Sequence, residues 1–357
     1  MKIVFSGGGT LGPVTPLLAI AQVCRQKYPD TEFVWIGTKN GPERELVEKA
    51  GIRFETLTSG KWRRYFSFLN IFDIFRIFWG FCQSFVFVLV EKPTLMISAG
   101  GFVSVPLHYA GTLLGVKSWI HQQDFEVGMA NKFMAPLADK ITVALESNLT
   151  KFNKKKTVWL GNPVRAEILN GDKERAKKLF GIKSDLPIVF ATGGGTGSLK
   201  VNQLIIESIQ HLQGICEVIH LSGKERPQEM VTHVSSMFPN YHHFQFLTTE
   251  MADAYAAADI VVSRGGFGSI TEIAALKKPA ILIPMPGHQY DNVKFIADAG
   301  AAIFVDERMA DGNYLAKTIK QLLEDTVFRK HLQQKIFEVM PVAKPEQILG
   351  IIDSLKA

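Results

Sequence analysis

The chain has 357 residues, 46% of them hydrophobic and 21% charged, enough for two domains with full cores and unlike a disordered or collagen-like protein. A formal net charge of +6 favours anionic partners: phosphates, nucleic acid or an anionic membrane surface. Three widely spaced cysteines, Cys24, Cys82 and Cys216, form neither a disulfide framework nor a metal site.

The chain begins MKIVFSGGG, passing straight into an expected strand at 2–5 with no secretory leader, so a cytosolic location is expected. A glycine-rich turn follows at 6–12, and Pro16 opens a helix with apolar residues at helical spacing. Gly7-x-Gly9-x-x-Gly12 has the form of a dinucleotide fingerprint, which requires an acid at the end of the second strand. The second strand, expected at 33–36, instead runs into Gly37-Thr38-Lys39, and the cation argues against a nicotinamide dinucleotide.

Residues 61–90 interleave basic and aromatic side chains. A membrane-spanning helix needs about 18 uninterrupted apolar residues. Asp73 and Arg76 break the run, and 77–90 still contains Gln83 and Ser84, so no span is expected. A basic amphipathic segment in the headgroup region fits better, with Lys61, Arg63, Arg64 and Arg76 towards anionic lipid.

A strand at 94–98 precedes the turn Ala99-Gly100-Gly101-Phe102, and a strand at 118–121 ends in His121-Gln122-Gln123-Asp124. His121 and Asp124 stand at a strand's carboxyl end, where catalytic side chains gather, although a histidine there is equally a satisfied structural group. The basic stretch 151–156 approaches a domain boundary. A second series starts at 187–191, turns at 192–198, and continues through strands at 216–221, 243–247 and 259–262. Ser263-Arg264-Gly265-Gly266-Phe267-Gly268 is then a turn before a helix carrying Glu272, and a strand at 280–284 leads to His288, Gln289 and Asn292. Glycines admit a phosphate to the backbone, a helix N-terminus attracts it, a carboxylate suits a ribose diol, and amides suit sugar hydroxyls. The pattern reads as a nucleotide-sugar pocket. A last helix at 346–355 is expected to return to the first domain. The fold class is α/β, with two doubly wound, Rossmann-like parallel sheets and the active site in the cleft between them. The domains are expected at 1–162 plus 342–357 and at 163–341.

Seven segments in order resemble the MurG family of peptidoglycan glycosyltransferases over nearly the whole chain: 8–16, 100–106, 121–131, Asn162-Pro163-Val164-Arg165, 193–202, Glu272, and His288 with Gln289 and Asn292. The resemblance implies a GT-B fold and a peripheral enzyme on the cytoplasmic face of the membrane. It implies inverting transfer of N-acetylglucosamine from UDP-GlcNAc to the muramyl 4-hydroxyl of a polyprenyl-pyrophosphate-linked muramyl peptide, with no cofactor and no obligatory metal. By carry-over, Glu272 binds the ribose, Arg165, Gly194, Gly195 and Thr196 line the diphosphate, and backbone near Phe246 and Leu247 meets the uracil. Gln289 and Asn292, with His288 beside them, take the sugar. Thr10, Leu11, Gly12, Thr15, Gly100, Gly101, Ser104 and Asn131 receive the acceptor diphosphate, while Trp62, Arg63, Arg64, Phe75, Arg76 and Trp79 meet the membrane.

Three positions depart from the family pattern: Pro13 replaces a histidine, Gln122 a glutamate and Gly195 a serine. Proline cannot carry a proton, which leaves Asp124 or His121 as the expected base. Two other readings use the same residues: a same-fold transferase with another lipid-linked acceptor, and a sugar-nucleotide-binding protein that has lost its base. No nucleic-acid recognition module is present.

Overall fold

Short apolar runs buried on both faces become parallel strands, because helices then cover the sheet on each side. The computed structural model describes residues 1–60, 69–194, 197–223 and 226–356, with residues 69–74 and 230 described by backbone alone. The chain divides into two units, Met1–Arg165 with Val342–Ala357, and Ala166–Pro341. Arg165, expected in the second domain, is thus the last residue before the division.

In the first unit β1 (Lys2–Ser6), β2 (Glu32–Gly37), β3 (Arg53–Thr56), β4 (Leu95–Ser98), β5 (Lys117–Gln122), β6 (Lys140–Val143) and β7 (Thr157–Trp159) form one sheet in the order β3-β2-β1-β4-β5-β6-β7. All its pairings are parallel: Lys2 lies opposite Glu32 on one side of β1, and Ile3 opposite Leu95 on the other. Phe5, Trp35, Ile97 and Trp119 are buried in its core. The strand order reverses between β1 and β4, the place where such a sheet opens a crevice.

The closing helix, Pro345–Lys356, does return to this unit. Ile348, Ile351, Ile352 and Leu355 share a core with Ile3, Leu17 and Ile20. Asp353 accepts from Lys27 Nζ at 2.9 Å and from the Tyr28 hydroxyl. Those bonds, Tyr28 first and Lys27 next, hold the Asp353 carboxyl at about 2.

The second unit contains β8 (Ile188–Thr192), β9 (Glu217–Leu221), β10 (Tyr241–Phe244), β11 (Ile260–Ser263), β12 (Ala280–Leu282) and β13 (Ile303–Phe304), ordered β10-β9-β8-β11-β12-β13 and again parallel. Its reversal lies between β8 and β11. Strand β10 sits earlier than the expected 243–247. Tyr241 is its buried anchor opposite Val218, and Asn240 fixes its start by donating to the carbonyls of Leu212 and Cys216. Phe246 and Leu247 therefore belong to the loop beyond the sheet.

The helix Leu69–Glu91 covers part of the expected membrane segment. Among the described residues, no helix is long and apolar enough to cross a membrane. Phe75 and Trp79 are nevertheless 69% and 59% exposed, and Phe78, Val86, Leu89 and Val90 are exposed as well. Trp62, Arg63 and Arg64 lie outside the described residues.

Burial pushes the three fully buried histidines down: His108 and His220 to about 3, and His121 to about 4. Each folded value lies below the unfolded value of about 6.5, so the contribution is full at neutral pH and is lost as pH falls towards the folded value. At pH 5 each costs up to about 2 kcal/mol relative to pH 7. Chemical denaturation at the two pH values should show this loss; equal midpoints would contradict neutral, buried imidazoles.

Candidate functional site

Two glycine turns meet at the β1/β4 reversal. Gly7 donates to the Ile36 carbonyl at 3.1 Å, and Gly9, at φ +83°, donates to the Glu43 carboxylate at 3.2 Å. That carboxylate also accepts from Thr38 N and Oγ1, both at 2.6 Å, so it closes the back of the turn. Gly100 and Gly101 have φ of +108° and +101°. A Cβ on Gly101 would come within 3.0 Å of the Gly8 nitrogen. The two turns thus pack backbone against backbone, which side chains would prevent.

Pro13 N-caps the helix Val14–Lys27 with φ −67° and ψ −14°. Its ring is preorganised for a helix start and its missing N–H costs nothing there. The expected acceptor-loop residues around it differ in access: Thr10 is exposed, whereas Leu11, Gly12 and Thr15 are half-buried. Ser104 is buried and its hydroxyl donates to the Gly100 carbonyl at 3.2 Å, so it shapes the turn rather than facing a ligand.

His121 is likewise a support and not the expected base. It is fully buried; Nδ1 meets Thr142 Oγ1 at 2.9 Å and Nε2 meets Asn162 Oδ1 at 2.8 Å. The Asn162 oxygen accepts, so the proton sits on Nε2 and the Thr142 hydroxyl donates to Nδ1. Both ring nitrogens are spent, Nδ1 on β6 and Nε2 on the segment that runs to Arg165. Desolvation lowers its pKa to about 4, keeping it neutral.

Gln122 is buried too, and its amide donates to the carbonyls of Asp124 at 2.8 Å and Glu126 at 3.0 Å. Asn131 Nδ2 donates to Gln122 Oε1 at 2.8 Å and to the His121 carbonyl at 3.1 Å. Asn148 adds a second bond to the Asp124 carbonyl at 2.9 Å. The backbone of Asp124 is therefore clamped while its side chain stays half-exposed just past β5. Asn131 Oδ1 is buried with no partner among the described residues, 3.7 Å from where a Cβ on Gly100 would lie. Gln123 Oε1 is in the same condition beside Gly12. Buried acceptors left over at a turn are what a hydroxyl- or amide-bearing ligand satisfies.

The second unit repeats the device. Thr192 Oγ1 accepts from Gly194 N at 3.1 Å, and Gly197 N donates back to the Gly194 carbonyl at 3.0 Å. Gly194 and Gly197 have φ of +79° and +75°. Ser198 caps the helix Leu199–Leu212 through Val201 N. Across the reversal, Arg264 donates to the Gly197 carbonyl at 3.2 Å, and Gly266 N-caps the helix Phe267–Ala275 carrying Ser269 and Glu272. A Cβ on Gly194 would sit 3.6 Å from Arg264 Nη2 and 3.9 Å from Ser269 Oγ. One on Gly266 would sit 4.0 Å from Gln289 Nε2, and Gln289 Oε1 is buried with no partner among the described residues.

Gly194, Gly266 and Gln289 thus converge at the ends of β8, β11 and β12. Glu272 is half-buried, Asn292 is buried on the helix His288–Asp298, and His288 is exposed at that helix's first position. Phe246 and Leu247 leave β10, tied in by Gly223 N to the Gln245 carbonyl at 3.0 Å. Gly195 and Thr196 lie outside the described residues. A cavity of about 520 Å³ in the first unit, lined by Val127, Phe152, Lys151 and Lys156, includes none of the turn residues. Two of the three lysines that line it are spent on carbonyls, Lys156 on Pro136 and Ala138 and Lys151 on Phe125.

Arg264, Ser269, Gln123 and Arg226 carried no role in the sequence. Arg264 stood inside a glycine turn, which was a usable signal. Arg226 stood in no motif.

Comparison with known proteins agrees in both halves. Residues 3–143 match the glycosyltransferase family 28 N-terminal domain, and residues 188–344 match the glycosyltransferase family 28 C-terminal domain. The UDP-N-acetylglucosamine--N-acetylmuramyl-(pentapeptide) pyrophosphoryl-undecaprenol N-acetylglucosamine transferase of Clostridium tetani (strain Massachusetts / E88) is 34% identical over 329 residues, covering 91% of this chain and 90% of its own. The similarly named transferase 2 of Bacillus anthracis is 34% identical over 326 residues, 90% of this chain and 91% of its own. The crystal structure of Acinetobacter baumannii MurG matches with a TM-score of 0.75 at 21% identity, covering 99% of both chains, and the fold is of the GT-B type.

Replacing Gln122 by glutamate would set a buried carboxylate against two carbonyl oxygens. Gln122→Glu should cost about 2 kcal/mol or more at pH 7 and less at pH 4, where the carboxyl is protonated. Thermal unfolding at both pH values checks this. An increase in any activity without loss of stability would show instead that position 122 reaches a substrate.

Proposed function

The chain belongs to glycosyltransferase family 28, and from that premise we propose that it transfers N-acetylglucosamine from UDP-GlcNAc to the muramyl 4-hydroxyl of a polyprenyl-pyrophosphate-linked muramyl pentapeptide, the lipid I to lipid II step. The observation that carries the donor half is the convergence of Gly194, Gly266 and Gln289 at one strand reversal, beside a helix N-terminus. The order β10-β9-β8 separates β10 from β8 by about 10 Å, a span that suits a base near Phe246 and a diphosphate at the β8 turn. Glu272 takes the ribose diol, Gln289 and Asn292 the sugar hydroxyls, and Arg165 the diphosphate.

In the first unit the turns at Thr10–Thr15 and Gly100 receive the acceptor. Asp124 takes the proton of the muramyl hydroxyl as that oxygen attacks the anomeric carbon. The bond from that carbon to the β-phosphate oxygen breaks with inversion, and UDP leaves. Clamping of the Asp124 backbone by Gln122 and Asn148 supports this role. The exposure of Phe75 and Trp79 on Leu69–Glu91, with the nearby Arg76, supports a peripheral enzyme whose helix meets an anionic membrane surface, on the cytoplasmic face by family resemblance.

Mass spectrometry after incubation with UDP-GlcNAc and a short-chain lipid I analogue tests the reading. The expected product is heavier by one N-acetylhexosamine, and Asp124→Asn should slow it about 10²-fold or more while UDP-GlcNAc affinity stays unchanged. UDP-GlcNAc binding without product would favour a different acceptor, and lost donor affinity in the variant would contradict the role of Asp124.

A further inference from the structure

Two guanidinium groups meet on one neutral oxygen in the second unit. Arg264 Nη1 and Arg226 Nη2 donate to the Gly197 carbonyl at 3.2 Å and 3.3 Å. Two cations drawn to one carbonyl repel each other, and a single peptide dipole does not neutralise them. Two other arginines of this unit are compensated: Arg175 is paired with Asp253, and Arg308 with Asp306. Neither Arg226 nor Arg264 has an ion-pair partner among the described residues, and the Nε of each is buried with no acceptor. Glu307 acts on Arg264 only from a distance; burial first, and the Arg226 charge next, lower the Arg264 pKa.

The backbone that carries Arg226 is held in place. Arg226 N donates to the Gly223 carbonyl at 3.3 Å, and Gln228 Nε2 donates to the carbonyls of Gly223 and Arg226. Gln228 Oε1 accepts from Ser222 Oγ at 2.8 Å, which ties this loop to β9. A Cβ on Gly197 would lie 2.9 Å from Arg226 Cγ, so glycine is also what lets the arginine stem lie against the turn.

We propose that Arg226 and Arg264 form a two-guanidinium clamp for the diphosphate of the sugar nucleotide, with Arg226 a binding residue additional to the turn and helix N-terminus. The clamp rests on the donor reading above and deepens it. Planar guanidinium forks match phosphate oxygens in pairs, and an anion between them removes the repulsion the empty pair carries.

Calorimetric titration of pyrophosphate, UDP and uridine into the wild type and Arg226→Gln tests it, with melting temperatures taken alongside. UDP and pyrophosphate should bind at least about tenfold more weakly to Arg226→Gln, uridine should be unaffected, and the unliganded variant should melt no lower than the wild type. Unchanged UDP and pyrophosphate affinity would overturn the clamp and leave the donor reading standing. A wild type that binds pyrophosphate but no uridine nucleotide would remove the donor reading and overturn the clamp as a sugar-nucleotide site; one that binds neither would remove both. A large fall in melting temperature with unchanged affinities in Arg226→Lys would make Arg226 a structural cap and overturn the clamp as well.

Discussion

Close approach of backbone to backbone at a strand reversal is the constraint on which both units depend. At such a reversal two neighbouring parallel strands send their chains to opposite faces, and the gap at their carboxyl ends must be bridged by turns. In the first unit the turns after β1 and β4 are near enough that a Cβ on Gly101, which is at φ +101°, would lie only 3.0 Å from the Gly8 nitrogen. In the second, the close approach lies within the single turn after β8, where a Cβ on Gly193 would lie 2.2 Å from the Ser198 nitrogen. Only glycine permits either arrangement. The consequence is chemical: peptide N–H groups and helix N-termini are presented without side chains in front of them, a surface suited to phosphate.

Behind each turn stands a buried polar network that fixes its shape. Glu43 gathers the Gly9 and Thr38 donors in the first unit. In the second, Asn202 accepts from His220 and donates to the Ser222 carbonyl, while His220 also bonds the Tyr241 hydroxyl. Each polar group buried there is expensive if left unmatched, so these bonds select one loop conformation. The same logic explains why His121 and Gln122 are supports. Asp124, the next polar side chain with solvent access, is what they hold up.

Much of this was legible in the sequence because the two strongest local signals, apolar runs of strand length and glycine clusters directly after them, coincide at Ser6–Gly7, Thr192–Gly193 and Ser263–Gly265. Those places specify parallel sheets and phosphate turns together. Strand β10 was misplaced because apolar Phe246 and Leu247 outweighed Tyr241, whose burial depends on β9. His121 resembled a base because position along a strand says nothing of depth; Thr142 and Asn162, which saturate its ring, are distant in sequence. Arg226 was invisible for the same reason, since its meaning comes from Arg264 across the sheet. Pro13 suggested a lost function by its chemistry, while its backbone angles show a helix start that suits proline.

The proposed binding of the sugar nucleotide to backbone at the β8/β11 reversal is open to one direct measurement. Nuclear magnetic resonance on [15N]glycine-labelled protein tests it directly, since the chain's 30 glycines include those of both sets of turns. Addition of UDP-GlcNAc should shift Gly194, Gly197, Gly265 and Gly266 and leave Gly7, Gly8, Gly100 and Gly101 in place. Shifts confined to the first set of turns, with the second unmoved, would contradict it.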